Sequence, residues 1–207
     1  MMYKNNTQYD VHIGGTTSVI RHTSFPIFVE YIENTDKNWF SIPIYQSLGT
    51  DYIIDMKISI THSIESTAWF VGHYSGLGFA VKNRGVHSAG GNIYKIPVML
   101  NHIYDVSLYR NSDLYRCCKF GNYEIIGSVN NSIESQLTIF HQSQYSGYYM
   151  GKVFFIKVRR NGNVISELRP CLSVESGHLN EPALYDCVED KYYYNQGSGT
   201  FAVGNRI

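Results

Sequence analysis

Apolar and polar residues alternate along most of the chain in short runs, which is the pattern of β-strands with one buried face. In DYIIDMKISI, residues 51–60, isoleucine or methionine fills every second position from residue 54, and Asp55, Lys57 and Ser59 lie between them. No window of about 12 residues keeps an apolar stripe at the spacing of a helix. The chain is therefore predicted to be built from strands.

Runs of the same kind recur between clusters of glycine, asparagine and serine, which favour turns. They are FVEYIE (28–33), WFSIPI (39–44), AWFVG (68–72), GFAVK (78–82), HIYDVSLYR (102–110), YRCCKF (115–120), YEIIGSV (123–129), SQLTIFH (135–141), YYMGKVFFIKVRRNG (148–162) and VISELRPCLSV (164–174). Short strands at regular spacing, separated by turn signals, predict an all-β antiparallel sandwich or barrel.

The strongest turn signals lie in the second half of the chain. Asn161-Gly162-Asn163 predicts a tight hairpin between the strands on either side of it. Pro170 marks an edge or a bulge in the second of those strands, because proline cannot donate to a ladder. Glu189-Asp190 predicts another hairpin, and Gly197 with Gly199 predicts a further chain reversal before a last short strand.

Residues 1–26 differ from the rest, since they are polar and have little apolar surface to bury. Ordering a backbone costs roughly 1–2 kcal/mol per residue, so such a segment is ordered only against a partner. We predict two units, an extended N-terminal arm at 1–26 and one β domain at 27–207. On the exposed sheet edge of a neighbour, the contacts of the arm would come from its apolar and aromatic residues: Tyr9, Val11, Ile13, Val19 and Ile20.

Composition and charge narrow the choice of partners. Hydrophobic residues make up 43% of the 207 positions, enough for a sizeable core. The 17 basic and 17 acidic residues give a formal net charge of +0, which argues against nucleic acid as the main partner. No apolar run approaches the roughly 20 residues that span a bilayer, and no signal peptide is visible. We expect a protein made in the cytoplasm, with no nucleic-acid or membrane partner.

The four cysteines show no metal-ligand spacing. Cys117 and Cys118 are adjacent, so on a strand they point to opposite faces, and Cys171 and Cys187 are isolated. We expect four reduced, mostly buried thiols rather than a disulfide framework. The eight histidines show no ligand spacing, and the aspartates are not clustered as calcium ligands would be, so we predict no metal ion and no cofactor.

Two segments with aromatic residues near turns are candidates for glycan binding. Aromatic rings pack on the apolar faces of sugars, while histidine and asparagine hydrogen-bond their hydroxyls. The candidates in AWFVGHYSG (68–76) and HQSQYSGYY (141–149) are Trp69, His73, Tyr74, His141, Tyr145 and Tyr148. The alternative is that Trp69 belongs to the core and that the tyrosines cover a sheet or contact a neighbouring subunit.

The end of the chain carries the motif ALYDCVEDKYYYNQGSGTFAVG (183–204), preceded by GNVISELRP (162–170). It resembles the C-terminal motif of a concanavalin A-like, laminin G-like family found in phage and surface proteins of gut Bacteroidales. FVEYIENT and TDYIIDMKISI resemble the opening of that family, and WFVGHYSGLGFAV resembles its early hairpin, so the similarity spans about residues 28–204. The matching positions are Asn161-Gly162, Val164, Leu168, Pro170, Leu184-Tyr185-Asp186, Lys191-Tyr192, Asn195 and Gly197 to Gly204.

The resemblance implies an antiparallel two-sheet jelly roll in which Tyr185 packs over the sheet edge and Asp186 closes the following turn. The phage context of the family implies a structural protein of the virion: a capsid decoration or auxiliary protein, a head-fibre or a tail component. Its partners would then be capsid or tail subunits or further copies of itself. The alternative is a glycan-binding adhesin domain that attaches to a host surface.

Catalytic motifs are missing from the sequence. The glycoside hydrolases with this fold carry Glu-x-Asp-x-x-Glu on a single strand, and this chain has no such run. It also lacks Gly-x-Ser-x-Gly, His-Glu-x-x-His and a phosphate-binding glycine loop. From these absences we expect no enzymatic activity.

Overall fold

The computed structural model describes residues 7–13, 16–22, 25–45, 51–62, 68–73, 78–82, 85–88, 93–94, 98–110, 115–128, 136–141 and 149–207. Each regular element among these residues is a β-strand, and each strand pair is antiparallel. None of the described residues belongs to a helix that could span a membrane. The predicted all-β antiparallel architecture is confirmed.

The strands follow most of the predicted runs closely. In chain order they are β1 (Thr7–Ile13), β2 (Thr16–His22), β3 (Ile27–Phe28), β4 (Ile32–Asn34), β5 (Phe40–Tyr45), β6 (Tyr52–Ile60), β7 (Ala68–His73), β8 (Gly78–Lys82), β9 (Gly85–Ser88), β10 (Ile93–Tyr94), β11 (Ile103–Arg110), β12 (Tyr115–Phe120), β13 (Tyr123–Ser128), β14 (Gln136–Ile139), β15 (Gly151–Arg160), β16 (Asn163–Leu172), β17 (Pro182–Asp186), β18 (Lys191–Tyr193) and β19 (Ala202–Val203).

Two sheets pack into a sandwich. The larger has the order β13-β12-β11-β6-β15-β16-β17-β18, and the short strands β3, β4 and β19 join it beside β15 and β16. The smaller has the order β10-β9-β8-β7-β14-β5. Buried side chains of both sheets form one hydrophobic core, so Ile54 and Met56 of the larger share it with Phe70 of the smaller. The predicted two-sheet jelly-roll sandwich is confirmed.

Alternation along β6 separates the core from solvent. Ile54, Met56 and Ile58 are at most 1% exposed, whereas Asp55 and Lys57 lie on the opposite face. We call this opposite side of the larger sheet, which points away from the smaller sheet, the outer face. Because successive side chains of a strand point to opposite faces of the sheet, burial of one face places the residues between the buried ones on the other face.

The hairpin between β15 and β16 turns at Asn161 and Gly162, as predicted. Their φ angles are +48° and +79°, the left-handed values that a two-residue primed turn requires. Pro170 lies where β16 changes partner: its register with β15 ends at Leu168, and β3 takes over at Cys171. Proline has no N–H to donate, and here β16 no longer pairs with β15, so no ladder hydrogen bond is lost. The Pro170 carbonyl accepts a hydrogen bond from the Val29 N–H at 3.1 Å.

The β17–β18 hairpin is also confirmed, and Asp186 closes its turn. The carboxylate is fully buried and accepts hydrogen bonds from Ser166 Oγ at 2.6 Å and from the Val188 N–H at 2.9 Å. Tyr185 lies one strand in from the edge strand β18 and is fully buried on the outer face. Its hydroxyl donates to the Asp190 carboxylate. Cys118, Cys171 and Cys187 are buried and form no disulfide, as expected; the side chain of Cys117 lies outside the described residues.

A set of asparagines joins the loop before β5 to the loop after β18. Asn195 Nδ2 donates to Asn38 Oδ1 at 2.9 Å, and Asn195 Oδ1 accepts from the Gly197 N–H at 2.8 Å. Asn38 Nδ2 donates in turn to the Thr200 carbonyl at 3.1 Å. Asn38 is fully buried, so these bonds satisfy polar groups that water does not reach. The predicted reversal at Gly197 and Gly199 thus packs against the chain at residues 37–39.

Two parts of the chain differ from their predicted form. FVEYIE is two strands rather than one, because β3 pairs with β16 whereas β4 pairs with β15 and β19. Within the predicted arm, β1 and β2 pair with each other from Thr7↔His22 to Ile13↔Thr16, and this hairpin is a sheet of its own. The five predicted contact residues of the arm lie on these two strands.

Candidate functional site

The six residues predicted for glycan binding fall only partly within the described structure. Trp69 and His73 lie on β7 of the smaller sheet, and His141 follows β14. Tyr74, Tyr145 and Tyr148 lie outside the described residues, as do the side chains of Trp69 and His73.

The backbone register brings two of these residues together and separates the third. β14 pairs with β7 through Ile139↔Val71, and the Phe140 N–H extends this ladder by donating to the Phe70 carbonyl at 2.6 Å. The ladder therefore leads His141 toward Trp69. His73 pairs with Leu137 at the other end of β7. The ring of His141 lies 5.2 Å from that of Trp39, an aromatic neighbour that the sequence did not indicate.

The outer face of the larger sheet is a second and more continuous candidate surface. Its strands carry rows of opposite charges in register: Lys57 of β6 lies opposite Asp105 of β11, with 3.8 Å between Nζ and Oδ1. Asp55 accepts from Ser107 Oγ at 2.6 Å and is ion-paired with Arg159. Cross-strand pairs of this kind form on the face opposite the core side chains.

The rows continue across β15 and β16. Lys157 Nζ lies 3.1 Å from Glu167 Oε2, and Arg169 donates to Glu167 Oε1 from Nε at 3.0 Å and from Nη2 at 2.8 Å. Lys152 Nζ lies 3.7 Å from Glu33 Oε2. Burial raises the pKa of Glu167, but the hydrogen bonds and charges of Arg169 and Lys157 outweigh it and lower that pKa below its usual value.

Two linked depressions cross this face, and a third adjoins them at the end of the sheet. The first, of about 510 Å³, lies where β15 and β16 part, between Phe154, Lys157 and Arg169. The second, of about 560 Å³, shares Phe154 with the first and adds Tyr31 and Lys152. The third, of about 500 Å³, lies beside the β12–β13 turn and shares Ile103 with the second. We call the first two the outer-face groove.

Apolar and aromatic side chains lie beside these charges. Phe154 and Phe155 are both partly exposed because a register shift between Val153 and Phe155 interrupts the alternation along β15. The rings of Tyr31 and Phe154 meet edge to face with 5.7 Å between centroids, and Lys152 Nζ lies 4.1 Å from the centre of the Tyr31 ring. The groove thus offers partly exposed rings, ammonium and guanidinium donors, and carboxylate acceptors within one surface.

Sequence reasoning missed this groove. Alternation placed Asp55 and Lys57 away from the core, but it could not say which other strands would lie beside them. The doubled aromatic position at Phe154-Phe155, between alternating residues, was the available signal for a bulge. Within the described residues, no three histidine, cysteine, aspartate or glutamate side chains come together in a group that could hold a metal ion.

No protein-family model and no curated protein matches the sequence. Among solved structures, the chain is similar to a protein of Bacteroides ovatus described as a "putative carbohydrate binding protein". The TM-score is 0.56 and the identity 12%, and the match covers 93% of this chain and 65% of that one. The chain thus spans slightly less than two thirds of that protein, and the likeness shows a shared fold.

An alginate lyase of polysaccharide lyase family 7 is also similar, at 12% identity and a TM-score of 0.39, over 61% of this chain and 64% of that one. This neighbour is an enzyme, so the expectation that the chain has no enzymatic activity is withdrawn. That expectation rested only on the absence of known catalytic motifs. The absence of Glu-x-Asp-x-x-Glu excludes one way of cleaving a glycan and not others. The likeness itself is too weak to argue for lyase activity.

Proposed function

We propose that this protein is a carbohydrate-binding jelly roll and that it binds a glycan in the outer-face groove. The observation that carries the proposal is the groove itself, in which the partly exposed rings of Phe154 and Phe155 lie beside Lys157, Glu167 and Arg169. Sugar rings have an apolar face and a rim of hydroxyls, so they need an aromatic surface next to donors and acceptors. The fold shared with the Bacteroides ovatus protein supports the same proposal.

The length of the groove favours a chain of sugars over a single one. Its two depressions meet at Phe154, and the third depression continues from the second through Ile103. Each has about 500 Å³ or more, within the range typical of small-molecule sites. A ligand that follows the groove would cross β15 and then approach β6 and β11.

The test is binding of the full chain to an oligosaccharide array, followed by titration calorimetry with the best ligand. Phe154→Ala should weaken binding by about tenfold or more, since it removes the ring shared by both depressions. Tyr45→Ala is the matched control, because Tyr45 is a 41% exposed aromatic residue on the smaller sheet. If His141→Ala abolishes binding and Phe154→Ala does not, the site lies at the sequence-predicted loops instead.

A second proposal concerns assembly. We propose that the β1–β2 hairpin is the docking element of a virion component, as the resemblance to phage proteins implied. The supporting observation is that this hairpin forms its own sheet, outside the two sheets of the sandwich. Residues 27–207 should then fold alone but fail to compete with the full chain for particle assembly. Undiminished docking of 27–207 would contradict this role for the hairpin.

A further inference from the structure

The positive and negative side chains in and beside the outer-face groove are equal in number. Among the described residues, the cations that line it are Lys152, Lys157 and Arg169. Glu30 and Glu167 also line it, and Glu33 lies beside Lys152. Three formal positive charges therefore face three negative ones. The groove has no excess of the charge that would attract an anion.

Each of these cations is already held by a carboxylate of the protein. One carboxylate oxygen of Glu167 accepts a hydrogen bond from Arg169 Nη2 at 2.8 Å, and the other lies 3.1 Å from Lys157 Nζ. Lys152 lies 3.7 Å from Glu33, with the Tyr31 ring 4.1 Å from its ammonium. Glu167 lies between these two cations. If either cation turned toward an anionic ligand, the negative charge of Glu167 would stay in the groove with one partner fewer.

A charged ligand and an uncharged one meet this arrangement differently. The carboxylate of a uronate sugar would compete with Glu167 for Lys157 and Arg169 while lying close to its negative charge. A hydroxyl, by contrast, both donates and accepts, so it can bridge an ammonium and a carboxylate that stay paired. The donors left over on lysine and arginine and the free lone pairs of glutamate then become ligand contacts.

We infer that the outer-face groove selects uncharged glycans and discriminates against glycans that contain uronic acids. This inference rests on the proposed function and adds the substrate class. The discrimination is set by Glu167, whose carboxylate is paired with two of the three cations, Lys157 and Arg169.

The experiment compares neutral with uronate ligands on the full chain. Cello-, xylo- and manno-oligosaccharides are titrated beside oligomannuronate and oligogalacturonate of equal length, at about 50 mM and about 500 mM sodium chloride. At least one neutral series should bind with an affinity that salt changes by less than about twofold, and the uronates should not bind measurably. Tighter binding of a uronate than of each neutral series would overturn the inference and leave the proposed function standing. Failure of both classes would overturn both.

Glu167→Gln adds a test of the cause. The variant frees Lys157 and Arg169, so uronate binding should become measurable at low salt, and added salt should remove it again. Glu124→Gln is the matched control, since Glu124 pairs with Lys119 at 3.9 Å on strands away from the groove. An unchanged uronate affinity of a Glu167→Gln variant with wild-type circular dichroism would refute the role of Glu167.

Discussion

Gly197 is the position where a single methyl group should cost the fold most. A Cβ built there would lie 1.8 Å from the Lys37 carbonyl oxygen, 2.8 Å from the Lys37 carbonyl carbon and 2.9 Å from Asn38 Cα. All three atoms are backbone, so no side chain can turn away to make room. Gly197→Ala must therefore separate the loop after β18 from the loop before β5.

The magnitude follows from what that separation breaks. Overpacking of a tight contact costs about 1–3 kcal/mol. Moving the loops apart also stretches the bonds from Asn195 Nδ2 to Asn38 Oδ1 and from Asn38 Nδ2 to the Thr200 carbonyl, each worth about 1 kcal/mol. We expect Gly197→Ala to lower the free energy of unfolding by about 3–5 kcal/mol, and the melting temperature by about 2–4 °C for each kcal/mol.

The assay is urea unfolding followed by circular dichroism, with two further glycine variants as references. At Gly199 the nearest atoms are the Asn38 side chain, at 2.7 Å, so Gly199→Ala should cost less than Gly197→Ala. Gly177 has open space around it and a φ of +91°, so Gly177→Ala should cost only about 1–2 kcal/mol, for backbone strain. If Gly197→Ala is no more destabilising than Gly177→Ala, the contact between the two loops does not hold the domain together.

Four further outcomes test other parts of the structure. Asp186→Ala should lower stability by about 3 kcal/mol in urea unfolding, because it leaves the buried Ser166 hydroxyl and a backbone N–H without their acceptor. Burial raises the pKa of Cys187 to about 11, so native protein at pH 8 should alkylate far more slowly there than a free thiol does. Unfolded, non-reduced protein should show four free thiols. The folded-state pKa of Glu167 is lowered, so the stability that its carboxylate contributes is complete above its usual pKa of 4.5 and is lost as pH falls through the folded pKa. The difference in stability between the wild-type chain and Glu167→Gln should therefore disappear at that low pH.

The sequence predicted the strands well because their signal is local. Alternation fixed β6, and Asn161-Gly162 fixed the β15–β16 turn, since both depend only on neighbouring residues. FVEYIE was read as one strand for the same reason. Strand-forming residues run through it without a turn signal, but the chain leaves β16 after Phe28 and joins β15 at Ile32. Local residue preferences do not specify which strand a segment pairs with.

The groove could not be predicted because its parts are far apart in the chain. Glu33 and Lys152 meet only when β4 pairs with β15, and Ile103 comes from a third region of the sequence. The aromatic residues chosen from the sequence were those near turns. The groove instead uses Phe154 and Phe155, in the middle of a strand, which both face solvent because of the bulge between Val153 and Phe155.

The C-terminal motif at residues 161–204 is therefore explained by its role in folding. Its matched positions include Asn161-Gly162 in a turn, Pro170 at a change of partner, Asp186 in a buried turn, and Gly197 against a backbone carbonyl. The groove residues Lys157, Glu167 and Arg169 are not matched positions, although Glu167 and Arg169 lie on either side of the matched Leu168. Because side chains alternate along β16, the matched Leu168 faces the core while its neighbours face the outer-face groove. The same strand can thus keep its fold while the residues on its outer side change.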